Sequence, residues 1–199
     1  ILINGTIGIG TGFSTEVPCH NPEDIIKNIY NLMEDKPLIQ MKPWYRGFQG
    51  KIDFKKINEV GAEQYMNHGI YKVIDDTTIY ISELPIGVST ENYKRFLESI
   101  LIDKSNENDK NKQYLLDFVN HSTEKVVKII LTFKKDVLKD LIINDKFETI
   151  FKLCTSKYTN YSNMHLYNNK ENICKYDSSE EILIEFYHLR LIYYVKRKE

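Results

Sequence analysis

At 199 residues the chain is long enough for one substantial core, or for one domain plus an appendage. Hydrophobic residues make up 42% and charged residues 28%, ordinary for a globular protein in water, and no apolar run reaches the length of a membrane span. A net charge of −1 argues against a dedicated nucleic-acid binder at the level of the whole chain.

Charge is nevertheless uneven. Six basic residues (Lys36, Lys42, Arg46, Lys51, Lys55, Lys56) face the single acid Asp53 between positions 36 and 56, a local face able to meet phosphates. Such runs are also commonly no more than solvated faces. The three cysteines, Cys19, Cys154 and Cys174, are far apart and form no Cys-x-x-Cys pair. They read as reduced thiols of an intracellular protein, not as a disulfide frame or zinc site. The five histidines show no ligand spacing and are assigned structural roles. The chain starts at Ile1 and stops at Glu199 inside a helical pattern, so it reads as a piece of a larger polypeptide.

In chain order, Ile1–Ile3 reads as a strand end, followed by Asn4-Gly5-Thr6-Ile7-Gly8-Ile9-Gly10-Thr11-Gly12-Phe13-Ser14. Glycines on both sides present Ile9 on a slim stalk. Two ligand readings compete with a plain glycine hairpin: a phosphate cradle and a wedge. A Walker A loop needs Gly-Lys-Ser/Thr, and a dinucleotide fingerprint needs Gly-x-Gly-x-x-Gly opening onto a helix. The spacing Gly8-x-Gly10-x-Gly12, with no lysine or arginine before Lys27, fails both. Residues 15–20 read as a connector. Asn21-Pro22-Glu23-Asp24 then starts a helix with a capping Asn, Pro in the first turn and acids at the positive end. Its apolar face is Ile25, Ile26, Ile29, Leu32 and Met33, and Pro37 marks its end.

Lys42-Pro43-Trp44-Tyr45-Arg46-Gly47-Phe48-Gln49-Gly50-Lys51 is a turn in which aromatics interleave with bases. Trp44 is expected to pack; Lys42, Arg46 and Lys51 are candidate phosphate contacts. From Ile57 to Leu84 the text turns to strands, with a hairpin about Asp75-Asp76. A helix carrying Tyr93, Phe96, Leu97, Ile100 and Leu101 follows, then a polar surface loop at Asp103–Lys112. Lys125–Phe133 reads as one strand, and short helices are expected around 136–143 and 145–154. The second informative segment is Phe151-Lys152-Leu153-Cys154-Thr155-Ser156-Lys157, continuing to Asn163-Met164, with two lysines, many donors and no acid. Ser178-Ser179-Glu180-Glu181 resembles a capping box opening a helix with Ile182, Leu183, Phe186, Leu189, Ile192 and Tyr193 on one side. From Ser178 to Glu199 that helix would span ~33 Å. Without a βαβ glycine signature, the fold class is α+β, a mixed β-sheet backed by helices.

Taken together, Leu2-Ile3-Asn4-Gly5, Gly8-Ile9-Gly10-Thr11-Gly12-Phe13-Ser14, Pro18, Asn21-Pro22, Pro43-Trp44-Tyr45-Arg46-Gly47-Phe48-Gln49-Gly50, Ile81–Pro85, Phe151–Ser156 and Phe186–Lys198 resemble type IIA DNA topoisomerases, in their eukaryotic and large-DNA-virus form. The resemblance implies a tower domain over 1–177, with a DNA-wedge loop at 1–20, and the first turns of a coiled-coil helix over 178–199 leading to the exit gate. It implies that Ile9 intercalates into double-stranded DNA and bends it. The implied DNA-binding set is Asn4, Gly8, Ile9, Gly10, Thr11, Gly12, Ser14, Lys42, Arg46, Lys51, Lys152, Leu153, Cys154, Thr155, Ser156 and Lys157. The chain is about two residues longer than the family after Lys157.

The resemblance further implies an ATP-dependent isomerase in the nucleus, or in a virion or viral factory. Such an enzyme acts as a homodimer with winged-helix, magnesium-binding and ATPase domains elsewhere in the polypeptide and has no membrane partner. None of the 14 tyrosines follows an arginine, so the family's Arg-Tyr nucleophile is absent. No catalytic residue, metal ligand or cofactor is expected within these residues; Mg2+ and ATP belong to the full-length enzyme. Two alternatives stand beside this reading. One is a non-catalytic interaction domain for protein or DNA, and the other is the nucleotide-binding enzyme weakened by the failed glycine spacings.

Overall fold

The computed structural model describes residues 1–57, 63–102 and 114–199, in two units. One unit is assembled from 1–48, 52–66 and 156–199, and the other from 49–51 and 67–155. The loop expected at Asp103–Lys112 lies outside the described residues.

The first unit opens with an antiparallel hairpin of β1 (Thr6–Ile9) and β2 (Ser14–Val17). Residues 2–4 therefore form a turn in place of the expected strand end, and the expected connector supplies most of the second strand. Helix α1 (Pro22–Met33) starts as its text dictates, with the Asn21 side chain accepting the Glu23 N–H at 3.0 Å. Ile25 is buried, whereas Ile26 and Met33, counted on the apolar face, stay exposed. Buried Asn28 donates to the Ile39 carbonyl and accepts its N–H, fixing the chain after the helix. Strand β3 (Lys51–Ile57) and the start of β4 (Glu63–His68) follow. A second antiparallel hairpin, β10 (Met164–Tyr167) with β11 (Ile173–Tyr176), precedes α5 (Ser179–Lys198).

The Ser178 side chain caps α5 by accepting the Glu181 N–H, while Glu181 reaches back to the N–H of Asp177, one residue beyond the N–H that a strict capping box uses. Leu2, Val17, Ile25, Met41, Tyr65, Tyr161, Met164, Tyr176, Ile182 and Leu183 form this unit's core. Only the first turn of α5 is buried; beyond Phe186 its Leu191, Ile192, Tyr193, Tyr194 and Val195 are exposed.

The second unit is a four-stranded antiparallel sheet in the order β5 (Ile70–Asp75), β6 (Thr78–Glu83), β8 (Ile129–Phe133), β7 (Leu115–Asn120). Ile79 faces Leu131 and Ile81 faces Ile129, so one side of the sheet is apolar. Helices α2 (Thr90–Ile102), α3 (Val137–Ile143) and α4 (Phe147–Ile150) supply Tyr93, Leu97, Leu138, Leu141 and Phe147 to the same core. Two expectations shift. The strand anticipated over 125–133 is shorter, because the chain before it is a turn closed by the Thr123 N–H on the Val126 oxygen. The second short helix stops at Ile150, and Cys154–Thr155 is instead strand β9, paired with His68 and Asn67. The architecture is α+β, and the strands among the described residues are distributed over four sheets.

Candidate nucleic-acid interface

Alternation along β1 buries Thr6 partly and leaves Ile7 and Ile9 on the open face. The last paired residues are Ile9 and Ser14; between them Gly10 N–H closes the turn on the Phe13 oxygen at 2.8 Å. Gly12 sits at φ +83°, a value that glycine adopts without penalty and that turns the chain back. On the opposite strand face, a Cβ at Gly8 would stand 3.1 Å from Thr15 Cγ2, so the ribbon is thin where the strands meet. The result is a hairpin whose tip exposes 88% of Ile9. Full exposure of one β-branched aliphatic chain gains nothing for folding. Asn4, Gly10, Thr11, Gly12 and Ser14 are exposed around the same hairpin, and Gly8 is half-buried.

The hairpin is held at its side and base. Asn163 accepts the Glu16 N–H on its carbonyl, and its amide donates to Ser14 Oγ at 3.0 Å. His165 N–H donates to Thr15 Oγ1, and the His165 ring is tied to Asn163 Oδ1 at 3.0 Å. At the base His20 is fully buried, its ring 3.2 Å from the Leu2 oxygen and 2.9 Å from the Tyr161 hydroxyl, which donates to the Met41 carbonyl. Gly5, at φ +63°, passes the Val17 carbonyl so closely that a Cβ would lie 2.7 Å from its oxygen. These anchors were invisible in the sequence. Thr15, Asn163, His165 and Tyr161 carry no motif spacing, and their contacts cross up to 150 positions.

Burial holds the His20 pKa down at about 4, against partial compensation from backbone hydrogen bonds. Well above pH 6.5 neither folded nor unfolded chain carries this proton. As pH falls from about 6.5 to about 4 the unfolded chain takes it up first, so stability declines across that window by up to about 3 kcal/mol. Urea midpoints measured from pH 7 to pH 4 should fall, and a His20→Gln variant should show a flatter profile. An identical slope in both would refute the assignment.

The basic candidates occupy separate settings. In the first unit Lys42 and Arg46 are exposed on the turn, with Pro43 bridged to His20 and Trp44 N–H bound to the Cys19 oxygen. Trp44, expected to pack, keeps 36% of its surface exposed. The Tyr45 hydroxyl donates to the Tyr158 carbonyl, which ties this turn to the segment that starts with Ser156 and Lys157. Burial pushes the Tyr45 phenol well above its ordinary range. Exposed Lys157 lies 4.8 Å from the Tyr158 ring centre.

In the second unit Lys51 is exposed at the start of β3. Lys152, at φ +52°, places its ammonium 4.2 Å from the Phe96 ring centre. Cys154 and Thr155 are half-buried in β9. Leu153 must be withdrawn as a side-chain contact. It is fully buried in the core, its N–H is bound to the Glu148 oxygen and its own oxygen to the Gly69 N–H. Among the described residues no three His, Cys, Asp or Glu side chains gather as a metal site, and no helix is long and apolar enough to cross a membrane.

Residues 1–199 match the family model that describes the A subunit of DNA gyrase/topoisomerase IV. The chain is 39% identical over 199 residues to DNA topoisomerase 2 of Arabidopsis thaliana, with 100% of this chain and 13% of that protein covered. Identity to DNA topoisomerase 2 of Saccharomyces cerevisiae is also 39% over 199 residues, with the same coverage of 100% and 13%. The crystal structure of the Plasmodium falciparum topoisomerase II DNA-binding, cleavage and re-ligation domain has the same fold, with a TM-score of 0.87 and 34% identity. That match covers 100% of this chain and 25% of that one. The chain thus spans 13% of the length of these curated relatives. With a full-length model match, an α+β fold in common and an exposed isoleucine between glycines, the chain belongs to the family of DNA gyrase/topoisomerase IV A subunits, and it is similar there to the eukaryotic DNA topoisomerase 2 enzymes.

Proposed function

We propose that this chain is a DNA-binding and DNA-bending part of a type II topoisomerase that passes one duplex through a transient break in another. The observation that carries the proposal is Ile9, an apolar side chain 88% exposed at the tip of a braced hairpin. Apolar wedges inserted between base steps unstack them and kink the duplex. Bending a site of 20–30 base pairs costs about 1–6 kcal/mol, and unstacking a step costs on the order of a few more. Phosphate contacts from Lys42, Arg46, Lys51, Lys152 and Lys157 offset that cost along the bent arms. The backbone groups and hydroxyls of Asn4, Gly8, Gly10, Thr11, Gly12, Ser14, Cys154, Thr155 and Ser156 position the strands.

The division into a tower over 1–177 and the start of a coiled coil over 178–199 belongs to the same proposal. So do a homodimer, a nuclear site of action, and joining to winged-helix, magnesium-binding and ATPase domains. Within the same proposal Mg2+ and ATP act elsewhere in the polypeptide, and the fragment alone does not cleave DNA. Binding of duplex DNA should fall steeply with salt. Lys152→Glu with Lys157→Glu should weaken it and reduce the slope of log K against log salt by about 2. An affinity indifferent to salt would favour the alternative, an interaction domain that binds protein.

A further inference from the structure

The hairpin β1–β2 and the hairpin β10–β11 of the first unit stand side by side, and a cleft opens between them. Ile9 and Phe13 line one wall, Tyr167 and Ile173 the other, and exposed Ser14 and half-buried His165 complete the lining. Tyr167 and Ile173 are cross-strand partners, as are His165 and Lys175, so the four share one face of the second hairpin. Tyr167 is 73% exposed and Phe13 60%, large flat surfaces left in water beside the wedge. No carboxylate lines the cleft. Outside the cleft the charges are mixed: Lys175 on the same face is paired with Asp177 at 3.2 Å, and Lys170 and Glu171 are both exposed in the adjoining turn.

Folding explains the second hairpin but not these rings. Its turn is closed by Asn168, whose side chain accepts the N–H groups of Lys170 and Asn172, and Glu185 clamps both the Asn169 N–H and the Tyr176 hydroxyl. Tyr167 takes no part in that framework. A cleft lined by exposed rings, a hydroxyl and an imidazole, with no carboxylate in its lining, and continuous with the Ile9 hairpin suits the sugar and base groups of nucleic acid better than an acidic peptide.

We infer that Tyr167 is a DNA-contact residue, its ring and that of Phe13 stacking on the sugar and the freed base face beside the step that Ile9 opens. The inference rests on the wedge reading, because Ile9 and Gly8–Gly10 form the near wall of the same cleft. A duplex kinked on Ile9 has to pass the mouth of that cleft. At the opened step a base face is freed from its neighbour, and loss of an aromatic ring that stacks on such a base typically lowers affinity roughly tenfold or more.

The test uses the complete topoisomerase polypeptide and a duplex substituted with 5-iodouracil at positions flanking the opened step. Irradiation should cross-link DNA to the peptides containing Tyr167 or Phe13. Tyr167→Ser should weaken duplex binding about tenfold, while Tyr167→Phe should bind as the parent does, since the ring and not the hydroxyl makes the contact. Unchanged thermal midpoints would confirm that both variants fold. Parental affinity in Tyr167→Ser, or cross-links that avoid both peptides, would overturn the inference. If that happens while Ile9→Ala still abolishes bending, only the role of Tyr167 falls. If Ile9→Ala also bends DNA normally, the wedge reading falls with it. Capture of a protein segment in the cleft with no DNA cross-link would overturn it as well.

Discussion

Replacing Ile9 by alanine in the complete enzyme should abolish most DNA bending, and cleavage with it, while leaving most ATP hydrolysis in place. The substitution removes three carbons. At about 0.8 kcal/mol per buried methylene, the inserted side chain loses about 2 kcal/mol of apolar contact with the bases. That loss is comparable to the few kcal/mol needed to unstack one step, so the kinked population should fall roughly thirtyfold. Because 88% of Ile9 is in water and it is absent from both cores, the thermal midpoint should barely move. Ile9→Leu keeps the volume and should keep most of the bend. Fluorescence energy transfer between the ends of a labelled duplex reads the outcome; unchanged transfer with Ile9→Ala would discard the wedge.

The largest effect on stability should come from Phe151→Ala. Phe151 is fully buried and its ring lies 5.1 Å from that of Phe147 and 5.2 Å from that of Phe133. Its carbonyl also accepts the buried Tyr93 hydroxyl at 2.8 Å. Truncating such a ring leaves a cavity among neighbours that cannot all collapse into it, and typically costs about 3–5 kcal/mol. In a chain of this size that is a drop of roughly 10 °C or more in the unfolding midpoint. Phe151→Leu should lose considerably less. The functional consequence is indirect. Lys152, Cys154 and Thr155 follow Phe151 and the buried Leu153, so a disturbed core should loosen them and weaken DNA binding although Phe151 touches no ligand. A midpoint within a degree or two of the parent would show that the ring cluster carries little of the stability.

Local chemistry made some elements legible. Asn21-Pro22 and Ser178 each placed a helix start because a cap satisfies orphan N–H groups using only nearby residues. The hairpin of β5 and β6 was legible from its β-branched runs around Asp75-Asp76. The wedge hairpin was half legible: its glycines mark a turn and an exposed Ile9, yet Ser14–Val17 has too little apolar alternation to announce a strand. Strand β7 escaped for a related reason, since a register shift between Leu115 and Asp117 breaks its two-residue period. Strands β10 and β11, four residues each around an Asn-rich turn, gave no signal at all.

At the site, the residue types that could meet phosphate were readable, but their burial was not. Leu153 sits in a polar, lysine-bearing segment and still faces inward, because the pairing of Cys154 and Thr155 with β4 sets its direction. The supports of the hairpin were hidden for a different reason. Asn163, His165 and Tyr161 act across sequence separations of 141 to 150 residues, and only the tertiary fold brings them to Ser14, Thr15 and His20.

The first unit is stitched from three stretches of chain, whereas most of the second is the continuous run 67–155. A ribosome therefore delivers the glycine hairpin well before its struts. Residues 67–155 can condense while the tip waits, and Ile9 acquires a fixed aim only when Tyr161 to His165 have emerged. Any nascent chain interrupted before that point carries a bare, unbraced apolar tip, a species that chaperones would be expected to meet.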